Sequence, residues 1–167
     1  MNAIVNVTPD WGIGFENRLL VSVPEDLRRF RALTEGKTVV LGRKTLETFP
    51  GGKPLKNRRN LVLSTDPAYR VEGAEVFHGL PELLAELRDL PRESICVIGG
   101  ESVYRALLPY CDGALVTLTH CSFRADRFFP NLESLPGWEC TTVSPEREWQ
   151  GISFRYIDYV NRLPLPL

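Results

Sequence analysis

The sequence predicts an α/β protein: a single domain over residues 1–167 with a central, mostly parallel eight-stranded sheet, about four flanking helices and an antiparallel C-terminal edge. Short apolar runs rich in β-branched residues alternate with helical patterns, as expected of helices packed on a sheet. After Leu108 the helical patterns stop, so three further strands follow without crossover helices and pair partly antiparallel at a sheet edge. The 167 residues, 43% hydrophobic and 25% charged, suffice for one soluble domain with a real core.

Strands are expected at residues 3–7, 38–41, 60–63, 75–77, 95–98, 115–119, 139–143 and 154–160, and helices at 23–34, 44–48, 80–90 and 102–108. Ala3-Ile4-Val5-Asn6-Val7 and Thr38-Val39-Val40-Leu41 have the β-branched make-up of strands, and Ile95-Cys96-Val97-Ile98 that of a strand buried on both faces. From Pro24 to Thr34 the spacing turns helical, with Leu27, Phe30 and Leu33 on one face and Glu25, Arg28, Arg29 and Arg31 outside it. Ser22-x-x-Glu25 has the form of a capping box for that helix. Two segments rich in glycine and proline, starting at Pro9 and Phe49, are loops at element ends, where α/β proteins build sites. No internal repeat occurs, and Leu163-Pro164-Leu165-Pro166-Leu167 is a frayed end.

Lys and Arg number 20 against 21 Asp and Glu, so the net charge of -1 creates no field for nucleic acid or an anionic membrane. Any bound anion must be held by local geometry. The N-terminal residues lack a signal-peptide pattern, and no apolar run approaches the ~20 residues of a membrane-spanning helix, so a cytoplasmic protein is expected. Cys96, Cys111, Cys121 and Cys140 lack the close pairs of zinc or redox motifs, and buried free thiols are expected. With only His78 and His120, no metal site is expected.

Asp26 stands inside the apolar stripe of the first helix, between Phe30 and Leu33 in projection. A carboxylate so placed must be uncharged, paired or waiting for a cationic ligand, because burying it unpaired is costly. The alternative is an acid stabilised in the first helical turn by the macrodipole, worth roughly 0.3–1 kcal/mol. The residues alone leave both readings open.

Three strand ends could hold phosphates. Ile98-Gly99-Gly100 ends a strand and opens a helix, where glycines admit a ligand close to the backbone; by itself the pair is better explained as a plain strand-to-helix turn. Gly42-Arg43-Lys44-Thr45 supplies a glycine, two cations and a hydroxyl, and cations at a helix start suggest a bridging anion, or else solvated surface charge. Ser64-Thr65 adds two hydroxyls. No G-x-G-x-x-G fingerprint follows a strand.

Trp11-Gly12-Ile13-Gly14 with Asn17, Pro24-Glu25-Asp26-Leu27-Arg28-Arg29-Phe30, Leu41-Gly42-Arg43-Lys44-Thr45, Val97-Ile98-Gly99-Gly100 with Tyr104, Leu118-Thr119-His120 and Asp126-Arg127-Phe128-Phe129-Pro130 occur in this order. Together they resemble the dihydrofolate reductase family along nearly the whole chain. The resemblance implies a monomeric enzyme that takes hydride from NADPH, reduces 7,8-dihydrofolate to tetrahydrofolate for one-carbon metabolism, and binds antifolate-type inhibitors. It implies that Asp26 pairs with the pterin 2-amino group and the adjacent ring nitrogen, a bidentate contact. By the same resemblance Thr119 hydrogen-bonds the acid, Leu27, Phe30, Phe49 and Leu55 line the pterin and benzoyl pocket, and Arg58 takes the α-carboxylate of the glutamate tail. For the cofactor it assigns Gly42, Arg43, Lys44 and Thr45 to the phosphates and Ser64 and Thr65 to the region of the 2′-phosphate. Ile98, Gly99, Gly100 and Tyr104 fall near the nicotinamide, and Gly14 and Asn17 lie in a mobile flap running from Asp10 to Leu20.

The chain departs from the family pattern at a few positions. Val21 stands where many members have tryptophan, an indole donor that orders a water near the substrate. Asn6 stands where alanine is common, and either compensates beside the pterin or satisfies neighbouring backbone. Glu101 and Ser102 follow the glycines, so the 2′-phosphate depends more on Arg43 and Lys44. An insertion around Pro50 to Lys53 leaves the register of nearby pocket residues open. The rival readings are the pyrimidine reductase of riboflavin synthesis, which has no need of Asp26 and Arg58, and a cofactor- or folate-binding protein without turnover.

Overall fold

The structure is a computed structural model that describes residues 1–20 and 22–167. Its strands are β1 (Asn2–Val7), β2 (Gly12–Phe15), β3 (Arg18–Leu19), β4 (Thr38–Gly42), β5 (Arg59–Leu63), β6 (Glu75–Phe77), β7 (Ile95–Gly99), β8 (Gly113–His120), β9 (Arg127–Phe128), β10 (Trp138–Val143), β11 (Arg147–Trp149) and β12 (Ile152–Asn161). The helices are α1 (Pro24–Thr34), α2 (Arg43–Glu47), α3 (Leu80–Arg88) and α4 (Glu101–Leu107). The main sheet runs β10-β12-β8-β1-β7-β4-β5-β6, which are the eight expected strands, and β11 adds a ninth alongside β12.

Pairing is parallel from β8 through β6 and antiparallel where β12 meets β8 and β10, as the missing late helices require. The period-two alternation of the central strands separates two cores. Val40, Leu61 and Val97 point to one face with Leu83 and Leu87 of α3 and Leu107 of α4, whereas Val39, Leu41, Val62, Cys96 and Ile98 point to the other with Leu46 of α2. Phe30 of α1 packs at the margin of this second face. Strand order reverses at β7, which returns between β1 and β4, and such switch points open a crevice at the carboxyl ends of the strands.

Two local expectations are corrected. Val23, with no side-chain cap, is the N-cap of α1, and Pro24 takes the first helical position, where its fixed φ and missing N–H cost nothing. The capping box therefore does not form: Glu25 instead accepts a bond from Arg147 at 2.8 Å. The expected flap is not an irregular loop, because β2 and β3 form a hairpin turning at Glu16 and Asn17, both with positive φ, and β9 pairs with β2 as a third strand. Asp126 fastens this small sheet, donating its N–H to Gly14 O at 2.9 Å and accepting the Glu16 N–H at 3.1 Å. All four cysteines are free, but only Cys96 and Cys111 are buried, and Cys140 is exposed on the edge strand β10. Burial pushes the Cys111 thiol up to about 12.

Candidate active site

The apolar stripe of α1 does not close onto the core. Leu27 is 51% exposed, Phe30 and Leu33 are half-buried, and Thr34 is the buried residue of the helix. The stripe instead forms one wall of a cavity of about 180 Å³, with Asn6, Asp26, Phe49, Ile98 and Thr117 around it. An amphipathic face left open in this way is the surface that a flat apolar ligand would cover.

Asp26 is set into that cavity, and both carboxylate oxygens accept hydrogen bonds. Thr117 on β8 donates to Oδ1 at 2.5 Å, and Asn6 on β1 donates to Oδ2 at 3.0 Å. Asn6 and Thr117 are direct partners in the parallel β1–β8 ladder, so one register places both donors under the helix acid. Neither donor is charged, and among the described residues Asp26 makes no ion pair. The negative charge is hydrogen-bonded yet not neutralised, which leaves the cavity complementary to a ligand bringing two N–H donors, at least one carrying positive charge.

Thr119 does not take the position expected for it. Its hydroxyl is buried and reaches Asn6 Oδ1 at 2.7 Å, while Thr117, two residues earlier on the same strand face, meets the acid. The two threonines share one side of β8, and a period-two pattern cannot choose between them. Of the two readings of Asn6, the side chain serves Asp26 and Thr119 rather than backbone.

A second groove, of about 610 Å³, runs along the carboxyl ends of β4, β5 and β7 and takes in Gly14, Asn17, Gly42, Thr45, Ser64 and Thr65. Arg43 and Lys44 also line it. Arg43 lies 3.5 Å from Glu47 and 3.7 Å from Asp66, and stacks toward Tyr69. Lys44 is exposed and makes no ion pair among the described residues, so its ammonium is available to an anion. Glu101, an acid in this groove, is engaged by the Phe128 N–H at 2.9 Å.

Gly99 has φ 119, a region glycine favours, and a Cβ there would meet the Tyr104 ring at 3.2 Å. A Cβ on Gly100 would meet Thr45 Oγ1 at 3.1 Å, so Gly100 lets the β7–α4 turn approach α2. The Gly99–Gly100 peptide is cis. Tyr104 donates its hydroxyl to Ile4 O at 2.7 Å, and burial pushes its phenol far above the ordinary value, fixing it as a neutral donor. Ile98, Gly99 and Tyr104 line the acid-bearing cavity, whereas Gly100, Thr45, Thr48 and Ile13 line both spaces. Two molecules bound in the groove and the cavity would meet at that shared wall.

Leu55 and Arg58 lie outside the lining of either space. Leu55, like Phe30 and Phe49, packs against the second core face, and Arg58 donates from Nε to Thr34 Oγ1 at 3.1 Å and from a terminal nitrogen to Lys56 O at 2.7 Å. Arg58 thus sits at the far end of α1 from Asp26, tied in place and with no carboxylate partner among the described residues. Val21 lies outside the described residues. Thr117, Val23, Arg29 and Thr48 also line the cavity, although no pattern in the sequence singles them out. Helical spacing places Arg29 on the outer face of α1, yet its guanidinium lies 3.9 Å from the centre of the Tyr156 ring, and the side chain lines the cavity.

A phosphate-suited groove and an acid-floored apolar cavity on one open α/β sheet define a two-ligand enzyme of the nucleotide-cofactor type. Residues 1–161 match the family model described as dihydrofolate reductase. The chain is 39% identical over 118 residues to a dihydrofolate reductase of Staphylococcus aureus, spanning 71% of this chain and 70% of that protein. It is 41% identical over 127 residues to the dihydrofolate reductase type 3 of Salmonella typhimurium, spanning 76% and 75%. The structure of dihydrofolate reductase from Enterococcus faecalis complexed with NADP(H) and RAB-propyl matches with a TM-score of 0.85 at 34% identity, covering 95% of this chain and 94% of that one. The chain belongs to the dihydrofolate reductase family.

Proposed function

We propose that this chain reduces 7,8-dihydrofolate to tetrahydrofolate with NADPH, as a single-domain cytoplasmic monomer whose pterin cavity also accepts antifolate-type inhibitors. The observation that carries this reading is the Asp26 carboxylate: set in an apolar cavity, hydrogen-bonded by two neutral donors and, among the described residues, paired with no cation. It takes the pterin 2-amino group and the neighbouring ring nitrogen as a bidentate pair and so orients the ring. Leu27, Phe30 and Phe49 cover the ring faces, while Leu55 and Arg58 receive the benzoyl group and the α-carboxylate of the tail. Among the described residues no helix is long and apolar enough to cross a membrane.

The residues fit NADPH by the chemistry of their donors. Lys44 and Arg43 offer charge and Thr45, Ser64 and Thr65 offer hydroxyls in one groove, which suits a cofactor with a pyrophosphate and a 2′-phosphate. When bound, NADPH supplies the hydride delivered to C6 of the pterin. Gly100, Thr45, Thr48 and Ile13 form the wall shared by groove and cavity, with Gly99 and Tyr104 beside it on the cavity side, where a nicotinamide and a pterin would meet. The β2–β3 hairpin with Asn17 would help exclude water from the groove. Asp26 holds the ring and biases proton supply toward N5.

Dihydrofolate-dependent oxidation of NADPH tests this reading. The native protein turns over, and Asp26→Asn lowers kcat/KM by about 10²–10³-fold, the scale of a lost proton-coupled group. Cofactor binding without turnover by the native protein, or native turnover by Asp26→Asn, would contradict it.

A further inference from the structure

The acid is held by a chain of side chains rather than by one donor. Thr119 donates to Asn6 Oδ1 at 2.7 Å, Asn6 donates to Asp26 Oδ2 at 3.0 Å, and Thr117 donates to Asp26 Oδ1 at 2.5 Å. An amide oxygen that already receives the Thr119 hydroxyl turns its N–H₂ group to the acid; the flipped amide would set oxygen against a carboxylate oxygen. Thr119 is 0% exposed, so no water competes for its hydroxyl.

We propose that Asn6, locked by Thr119, is a positioning residue that fixes the plane of the Asp26 carboxylate for two parallel ring donors. The proposal rests on the reading of Asp26 as the pterin anchor. The terminal torsion of an aspartate is broad, so a carboxylate held by one hydroxyl can turn about that contact. Two donors, arriving from neighbouring strands on different oxygens, define its plane. Each oxygen retains a second lone-pair direction for the ligand. A bidentate contact depends on coplanarity, and small misplacements of a positioning group cost large factors in rate. Alanine at position 6 would strip Oδ2 of its donor and leave Thr117, on Oδ1, as the acid's remaining one.

Steady-state kinetics with saturating NADPH on the native protein, Asn6→Ala, Thr119→Val, Thr119→Ser and the Asn6→Ala/Thr119→Val pair test the proposal, with thermal melts and NADPH titrations alongside. Asn6→Ala lowers kcat/KM for dihydrofolate by about tenfold or more, through both a raised KM and a lowered kcat, without changing NADPH affinity. Thr119→Val produces part of that loss and Thr119→Ser recovers most of it. The double variant is no worse than Asn6→Ala alone, because Thr119 acts through Asn6. Native kcat/KM in Asn6→Ala, or losses that multiply independently in the double variant, would overturn the proposal. If Asn6→Ala does not fold, equal kcat/KM for Thr119→Val and Thr119→Ser would overturn it. Native turnover by Asp26→Asn would sink the reading of the acid itself, whereas a loss there beside an intact Asn6→Ala removes only the role of Asn6.

Discussion

Helices α1 and α3 are equally amphipathic, yet they use their apolar faces in opposite ways. On α3, Leu83 and Leu87 are 0% exposed and pack into the core. On α1, Leu27 is 51% exposed and, with Phe30 and Leu33, walls a cavity. Amphipathic spacing shows that a helix has something to bury; it does not say whether the partner is the protein or a ligand. What separates the two is Asp26, a carboxylate that a core-facing stripe would not tolerate without a partner.

The same contrast holds among charges. Asp112 accepts from the Met1 ammonium at 2.7 Å and from Arg92 at 3.0 Å, and Arg59 is engaged by Glu75 and Glu86. Asp26 and Lys44 have no such partners among the described residues. Asp112 and Arg59 are neutralised within the fold, and Arg43 in the groove is partly so by Glu47 and Asp66, while Asp26 and Lys44 are left for ligands.

Substitutions on the two helices and at the ligand-facing charges put this contrast to the test. The largest effect is expected from Leu83→Ala, which should lower stability by about 3 kcal/mol by emptying a core site while leaving kcat/KM per folded molecule unchanged, as denaturant melts and kinetics would show. Lys44→Ala should weaken NADPH by about thirtyfold, the loss of one charge-assisted bond, and NADH far less. Equal losses for both cofactors in binding titrations would remove Lys44 from the 2′-phosphate. Leu27→Ala should raise KM for dihydrofolate by about tenfold yet change stability by less than about 0.5 kcal/mol, the reverse of Leu83→Ala. A stability loss as large as that of Leu83→Ala would erase the contrast between the helices.

The smallest effect concerns Asp112. Burial tends to raise its carboxyl, but Arg92 and the N-terminal ammonium outweigh this and hold it below the ordinary carboxylate value. A lowered folded value means stability that is present above the unfolded value of about 4 and lost as pH falls through the folded one. Thermal melts of native protein and Asp112→Asn should therefore differ near neutral pH and converge in strong acid.

The main sheet was legible because its central strands β1, β4, β7 and β8 carry β-branched runs, and the antiparallel edge because helices vanish after Leu108. The strands Arg18–Leu19, Arg127–Phe128 and Arg147–Trp149 were not, since two or three residues show no period. The capping box failed for a different reason: Glu25 meets Arg147, a partner 122 residues away that local pattern cannot see. Asp26 was legible as an anomaly in its stripe. Thr117 was hidden behind Thr119 because both occupy one strand face, and only the pairing of Thr117 with Asn6 decides which reaches the acid.

The most direct test of the central claim is the structure of the protein bound to dihydrofolate and the oxidised cofactor, with the distances from Asp26 measured. The account predicts the pterin between Leu27, Phe30 and Phe49, with the 2-amino group and adjacent ring nitrogen each about 2.7–2.9 Å from a carboxylate oxygen. A pterin ring bound elsewhere, with Asp26 still contacted only by Asn6 and Thr117, would contradict it.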